Sequence, residues 1–320
     1  MKKALICGIS GQDGAYLASL LLDKGYAVYG TSRDAQMSSF RNLKRLGIYD
    51  RVKLSSMSLT DFRSVLQVLT QVEPQEVYNL AGQSSVGLSF DQPVETLDSI
   101  AGGTLNLLEA IRFTGAPIKL YNAGSSECFG DTYGEPADEN TPFRPRSPYA
   151  VAKSAAFWEV ANYREAYGLF ACSGILFNHE SPLRPPRFVT QKIIHGACAI
   201  ASGNQDKLYL GRISVQRDWG WAPEYVEAMY LMLQQSQADD YAIATGETYS
   251  LQDFVKTAFD CVGLNWEDFV ETDQSLYRPT DIAVGRASPA KAKHQLGWEA
   301  KFKMPDIVRM MVQAQQERSP

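Results

Sequence analysis

Tyr149 and Lys153 stand four residues apart, and Ser125-Ser126-Glu127 lies upstream in a glycine-flanked segment. On a helix, a spacing of four puts both side chains on one face. A free tyrosine has a pKa of about 10 and is a weak base at neutral pH, but a nearby ammonium favours the phenolate. Such a pair can take a proton from a hydroxyl. Glu127 supplies a carboxylate that can take a carbon-bound proton next to a carbonyl. Ser125 can bond the oxygen of the reacting carbon and orient it. Beside a phosphate-binding loop, this set implies chemistry that oxidises a sugar, eliminates from it and reduces it again.

The loop is Gly8-Ile9-Ser10-Gly11-Gln12-Asp13-Gly14, with G-x-x-G-x-x-G spacing after an apolar strand and before a helical pattern. Its glycines allow a tight turn and close approach to a pyrophosphate, which the helix N-terminus favours. At the end of the second strand, Arg33 can hold an adenosine 2'-phosphate, which selects NADP. Asp34 can accept from a free ribose hydroxyl, which selects NAD. The adjacent pair leaves that choice open. Leu80, Ala81 and Ser84 follow the fourth strand. There Ala81 lets the backbone approach the cofactor and Ser84 can bond its ribose.

Positioning these groups requires alternating strands and helices. The pattern predicts strands near 4–7, 26–29, 52–54, 76–80, 118–121 and 170–177, with helices between them. Asp61 is expected to cap a helix that ends before Pro74. Strands joined by helical crossovers imply an α/β fold with a doubly wound parallel Rossmann sheet, covered on both faces. Beyond residue 178 the alternation fades into a smaller mixed α/β substrate-binding lobe, with amphipathic helices near 225–233 and 307–314. The expected division is 1–177 for the dinucleotide and 178–320 for the substrate, with some later segments returning to the first domain.

The chain has 320 residues and a net charge of -5, which argues against a general nucleic-acid binder. Its five cysteines include no C-x-x-C pair, and its three histidines are dispersed, so no metal site and a reducing, cytoplasmic setting are expected. Cys128 follows Glu127 and can line the site. No apolar run reaches the roughly 18 residues of a membrane span.

The glycine spacing, Ser125, Tyr149 and Lys153 resemble the extended short-chain dehydrogenase/reductase superfamily. Longer strings resemble its GDP-mannose 4,6-dehydratase family: Gly11-Gln12-Asp13-Gly14-Ala15-Tyr16-Leu17, Ser147-Pro148-Tyr149, Asn178-His179-Glu180-Ser181-Pro182 and Arg217-Asp218-Trp219-Gly220. The resemblance implies a carbon–oxygen lyase that recycles NADP, with NAD as the other option. Tyr149 would take the C4 hydroxyl proton, Lys153 would bond the nicotinamide ribose, and Glu127 would act as both base and acid. Asn178, Lys192, Arg217 and Arg278 match positions for the GDP-sugar, and Asp281 would accept from the guanosine ribose. A homo-oligomer, dimer or tetramer, is implied. Other GDP-sugars such as a GDP-manno-heptose, a 4-keto-sugar reductase and a non-catalytic nucleotide-binding paralogue stay open.

Four departures from the family pattern stand out. Asp34 replaces the second of two arginines, Met57-Ser58 stands for Gly-Asp, Ile100 replaces a polar residue, and the loop 184–192 is altered. They cluster at the adenosine end and the assembly loop, while the catalytic set changes only by serine for threonine at Ser125.

Overall fold

The computed structural model describes residues 1–317. Six strands in chain order form most of the main sheet: β1 (Lys3–Cys7), β2 (Ala27–Ser32), β3 (Lys53–Ser56), β4 (Glu76–Asn79), β5 (Lys119–Ala123) and β6 (Ala171–Leu176). Later strands are β7 (Asn178–Glu180), β8 (Leu208–Leu210), β9 (Gln216–Arg217), β10 (Trp219–Trp221), β11 (Tyr241–Ile243), β12 (Tyr249–Ser250) and β13 (Val270–Thr272). Seven strands make one parallel sheet in the order β11-β6-β5-β4-β1-β2-β3. The chain runs outward from β1 in both directions, as expected of a doubly wound sheet.

Period-two alternation decides which helices cover which face. Ala4 and Ile6 of β1 pack with Leu17 and Leu21 of α1 (Gln12–Asp23) on one side. Leu5 and Cys7 pack on the other with Val65 and Leu69 of α3 (Phe62–Val72), and with Leu107 and Ile111 of α6 (Gly103–Thr114). The short helices α2 (Arg41–Arg45), α4 (Val86–Asp91) and α5 (Pro93–Leu97) lie in the connections. Asp61 caps α3 as expected, with Oδ1 accepting from Arg63 N at 2.9 Å.

The helix α7 (Pro148–Tyr167), which carries Tyr149 and Lys153, is delimited by local chemistry. Ser147 Oγ accepts from Ala150 N at 3.1 Å, and Pro148 occupies the first turn, where its missing N–H costs nothing. Gly168 ends the helix at φ +66°, a conformation open to glycine.

After β7 come α8 (Val189–Ala201), α9 (Ala222–Gln234), α10 (Leu251–Asp260) and α11 (Met304–Gln316). A separate apolar cluster joins Ile193 of α8, Phe254 and Phe259 of α10, and Ile307 and Met311 of α11. Three small sheets accompany it: β7 with β10, β8 with β13, and β9 with β12. The chain also comes back to the main sheet. Met229 and Leu233 of α9 join the cluster of Leu17 and Leu21, and β11 pairs with β6. No helix among the described residues is long and apolar enough to cross a membrane.

The glycine loop is sterically committed. A Cβ on Gly14 would sit 2.5 Å from Gly8 O, whereas one on Gly102 would meet nothing within 4 Å. Gly14→Ala is therefore expected to lower stability by about 1–3 kcal/mol through overpacking. Gly102→Ala should be neutral or stabilising by roughly 0.5–1 kcal/mol. Thermal unfolding of the two variants beside the parent checks the contrast.

Candidate active site

The carboxyl ends of the parallel strands open into a cleft of ≈ 570 Å³. Ser125, Glu127, Tyr149 and Lys153 all line it. Ser125 opens a short 3-10 turn after β5, and its Oγ accepts from Glu127 N at 3.3 Å. That bond fixes the Glu127 backbone relative to the serine. Tyr149 and Lys153 arrive from the first turns of α7.

Burial sets the proton affinities here. It pushes Tyr149 well above the usual phenol range, and the neighbouring Ser125 hydroxyl pulls the other way. Burial brings Lys153 down to about 8. Lys153 Nζ donates to Ala123 O at 2.7 Å and lies 5.9 Å from the Tyr149 ring centroid. Burial also raises Glu127, against the pull of Arg217 and then Arg278, while Asp281 adds to the rise.

The predicted nucleotide-sugar residues converge on the same cleft. Asn178 begins β7, Lys192 lies on α8, and Arg217, Arg278 and Asp281 complete the group. Asp281 Oδ1 accepts from Arg217 Nη2 at 3.0 Å, with Arg278 Nη1 3.6 Å away. The same oxygen also accepts from Ile282 N at 2.9 Å. Asp281 thus holds two guanidinium groups side by side.

At the cofactor end, Gly8 takes φ +81°, and a Cβ there would meet Leu80 O at 2.9 Å. Gly11 N donates to Gly8 O at 3.1 Å, closing the turn. Gly11 is the N-cap of α1, which lacks a side-chain cap among the described residues, so its first amides are available to an anion. Gly8, Gly11, Gly14 and Ala81 shape this loop without lining the cleft, whereas Asp13, Leu80 and Ser84 line it. The cradle fits a dinucleotide pyrophosphate.

Farther out, Arg33 and Asp34 do not reach the cleft. Arg33 Nη1 pairs with Glu95 Oε1 at 3.4 Å on the surface. Asp34 Oδ1 accepts from Gln36 N at 2.9 Å and Met37 N at 3.0 Å. Ser58 Oγ bonds Thr60 Oγ1 at 3.0 Å.

Cys128 does not line the cleft. It is buried, its thiol is pushed up to about 11 by that burial, and Sγ lies 3.8 Å from Ala150 O. Among the described residues no His, Cys, Asp and Glu cluster can hold a metal ion.

Sequence reasoning missed three cleft residues. His179 Nε2 lies 2.9 Å from Asp13 Oδ2, Arg187 Nη2 donates to Ser84 Oγ at 3.1 Å, and Arg184 stacks over Phe188 at 3.8 Å. Gln12, expected at the cofactor, ties loop to lobe in this structure. Its Nε2 donates to Asp13 Oδ1 at 2.9 Å and His179 O at 3.2 Å, and its Oε1 accepts from Ser181 Oγ at 2.7 Å. The string from Asn178 to Pro182 was the available signal, but its partners are more than 160 residues away.

Comparison with known proteins accords with this geometry. The family model described as GDP-mannose 4,6 dehydratase matches residues 5–311. GDP-mannose 4,6 dehydratase 1 of Arabidopsis thaliana is 48% identical over 97% of this chain and 89% of its own. GDP-mannose 4,6-dehydratase of Sinorhizobium fredii is 44% identical over 97% of this chain and 95% of its own. Among solved structures, the Thermus thermophilus UDP-glucose 4-epimerase complex with NAD superposes with a TM-score of 0.86 at 26% identity, covering 99% of each chain. With a match to all but the ends, the chain belongs to the GDP-mannose 4,6 dehydratase family.

Proposed function

We propose that the chain converts GDP-mannose to GDP-4-keto-6-deoxy-mannose and water, as a carbon–oxygen lyase. The observation that carries this reading is a half-buried acid, Glu127, in one cleft with Ser125, Tyr149, Lys153 and the Arg217–Asp281–Arg278 group. A nicotinamide cofactor held on the cradle of Gly8, Gly11 and Gly14 would supply the hydride acceptor and donor that the net transfer from C4 to C6 requires. Tyr149 accepts the O4 proton while Ser125 orients the carbon. Lys153 holds positive charge beside that exchange. Glu127 removes the C5 proton next to the new ketone, then protonates the departing C6 hydroxyl. A simple 4-keto-sugar reductase has no such step and leaves Glu127 without a task.

The cations Lys192, Arg217 and Arg278 offset the diphosphate, and Asn178 bonds it or a sugar hydroxyl. We take residues 1–177 to serve mainly the dinucleotide and residues 178–320 mainly the nucleotide sugar. The cofactor reading is NADP, with Arg33 facing the 2'-phosphate and Asp34 opposing it by charge. A homo-oligomer suits the side chains of Val94, Leu97, Val151 and Trp158, which are exposed on α5 and α7.

Incubation with GDP-mannose should yield a 4-keto product of lower mass by one water, with no net change in nicotinamide absorbance. Glu127→Gln should retain nucleotide-sugar binding but lose about 10²–10⁴-fold in turnover, the usual worth of a positioned acid–base group. Because the Glu127 pKa is raised, its basic form is lost as pH falls through a value above the ordinary glutamate pKa of about 4.3. The acid limb of kcat/KM, which reports the free enzyme, should lie correspondingly high. Unimpaired solvent exchange at C5 in Glu127→Gln would remove this residue from its role.

Asp34→Arg should raise the NADP preference over NAD by about 10-fold or more, since it exchanges a repelling charge for an attracting one beside a phosphate. An unchanged ratio of the two dissociation constants would count against that placement. For assembly, sedimentation should give a dimer or larger species, and Trp158→Lys should shift it toward monomer.

A further inference from the structure

Beside Glu127, with no residue of α7 in its lining, lies a second and much smaller cavity with ≈ 10 Å³ of space for a water. That is about the room one water needs. Glu127, Ser126, Arg217, Thr132 and Gly285 line it, with Phe177 among its apolar walls. Its Glu127, Ser126, Arg217 and Phe177 also border the large cleft, so the cavity adjoins the reaction site. Thr132 Oγ1 is buried and has no hydrogen-bond partner among the described residues. A buried hydroxyl left in that state costs roughly 1–3 kcal/mol, which a water partner would recover.

The segment that presents Thr132 is held firmly. Asp131 Oδ1 accepts from Tyr133 N at 2.9 Å, and its Oδ2 accepts from Ala283 N at 3.0 Å. Arg286 Nη1 donates to Gly134 O at 2.9 Å. The next residue along, Tyr133, is 79% exposed, so the segment that walls the cavity also meets solvent.

The dehydration proposed above creates a need at this spot. Glu127 takes the C5 proton as the C5–H electron pair moves toward the 4-ketone. It gives that proton to the C6 hydroxyl as the C6–O bond breaks, and water leaves. Glu127 is again ionised, and C5 must still regain one proton as C6 receives hydride. The proton released from O4 balances the overall equation, but it is taken up at Tyr149 on α7 and not at Glu127. One proton has to enter where Glu127 is.

We propose that this cavity holds one exchangeable water, bonded by the Glu127 carboxylate and the Thr132 hydroxyl, which recharges Glu127 with a solvent proton in each turnover. The water gives a proton to the carboxylate as it takes one from the solvent side, so its own composition is unchanged. Thr132 is a positioning residue here. The inference rests on the dehydratase reading.

The test is single-turnover reaction with GDP-mannose in D₂O, following nicotinamide absorbance and deuterium at C5 of the product. Thr132→Val removes the hydroxyl at nearly constant volume. Gly285→Ala narrows the cavity, since its added Cβ would meet Arg217 Cδ at an ordinary 3.5 Å. Both should leave nicotinamide reduction, which reads C4 oxidation, at the parent rate. Both should slow C5 deuteration and nicotinamide reoxidation by about 10-fold, a fraction of what a positioned acid–base group contributes. Thr132→Ser should restore the parent rates. Parent-rate C5 deuteration in both Thr132→Val and Gly285→Ala would overturn the proposal. Absence of any 4-keto product from the unaltered chain would instead overturn the function beneath it, and the relay with it.

Discussion

One part-buried ion pair joins the two walls of the cleft. Asp13 sits at the start of α1 and His179 on β7, with 2.9 Å between their facing atoms. His179 Nδ1 lies 2.8 Å from Phe177 O, a pure acceptor, so that nitrogen must carry a proton. Its other nitrogen meets a carboxylate, and the ring is satisfied on both sides only as imidazolium. Burial alone would raise Asp13, but the charge and hydrogen bond of His179 win and bring it to about 2. Burial would likewise lower His179, and the Asp13 charge outweighs it. Asp13 is depressed, so its contribution is present above its unfolded value of about 4 and fades as pH falls toward 2. His179 is raised, so its contribution is whole below about 6.5 and fades as pH rises through its higher folded value. The pair is therefore intact across the mildly acidic range and beyond, and it fixes the pyrophosphate loop relative to Asn178.

The charges deeper in the cleft are arranged by opposition. Burial raises the proton affinity of Glu127, and Arg217 and Arg278 restrain that rise. Asp281 in turn lies against both arginines. In the proposed reaction a diphosphate at those guanidiniums would take up part of their field. Glu127 would then feel less positive charge and become a stronger base as the C5 proton is removed. Lys153, brought to about 8, keeps its charge at neutral pH while remaining close to exchange. Substrate binding and base strength are in this way properties of the same few groups.

Much of the Rossmann half was legible because its signals are local. Short strand patterns alternating with helical ones mark β1 to β6, Asp61 marks a helix start, and glycine spacing marks the loop. The gathering of Ser125, Glu127, Tyr149 and Lys153 followed once those strands were parallel, because carboxyl ends then share one edge. What could not be read depends on contacts across long stretches of chain. β11 is three residues long and joins the sheet only because β6 offers a free edge. The partnership of Gln12 and Asp13 with His179 spans the two halves, and neither local pattern nor periodicity encodes it. The turn that Asp34 makes with the amides two and three residues ahead is likewise a local competition common for Asp, and nothing in the strand pattern before it foretells it.

The departures at the adenosine end are each satisfied within the protein, which bears on whether they mark decay. Ser58 is held on both sides, its amide donating to Ser64 Oγ at 3.1 Å and its hydroxyl bonded to Thr60. Ile100 is buried among Ala152, Ala156 and Tyr149, so it packs against the face of α7 that carries catalysis. Its Cγ1 would lie 3.0 Å from a Cβ on Gly82, so the glycine after β4 and this isoleucine fit each other. A polar side chain at position 100 would have to bury its polar atoms in that apolar contact or displace Tyr149. A drifting, inactive chain has no reason to keep such fits, because random substitution leaves orphaned polar groups and gaps. These positions are held by shape and by backbone bonds, and Asp34 Oδ1 braces its own loop in the same way.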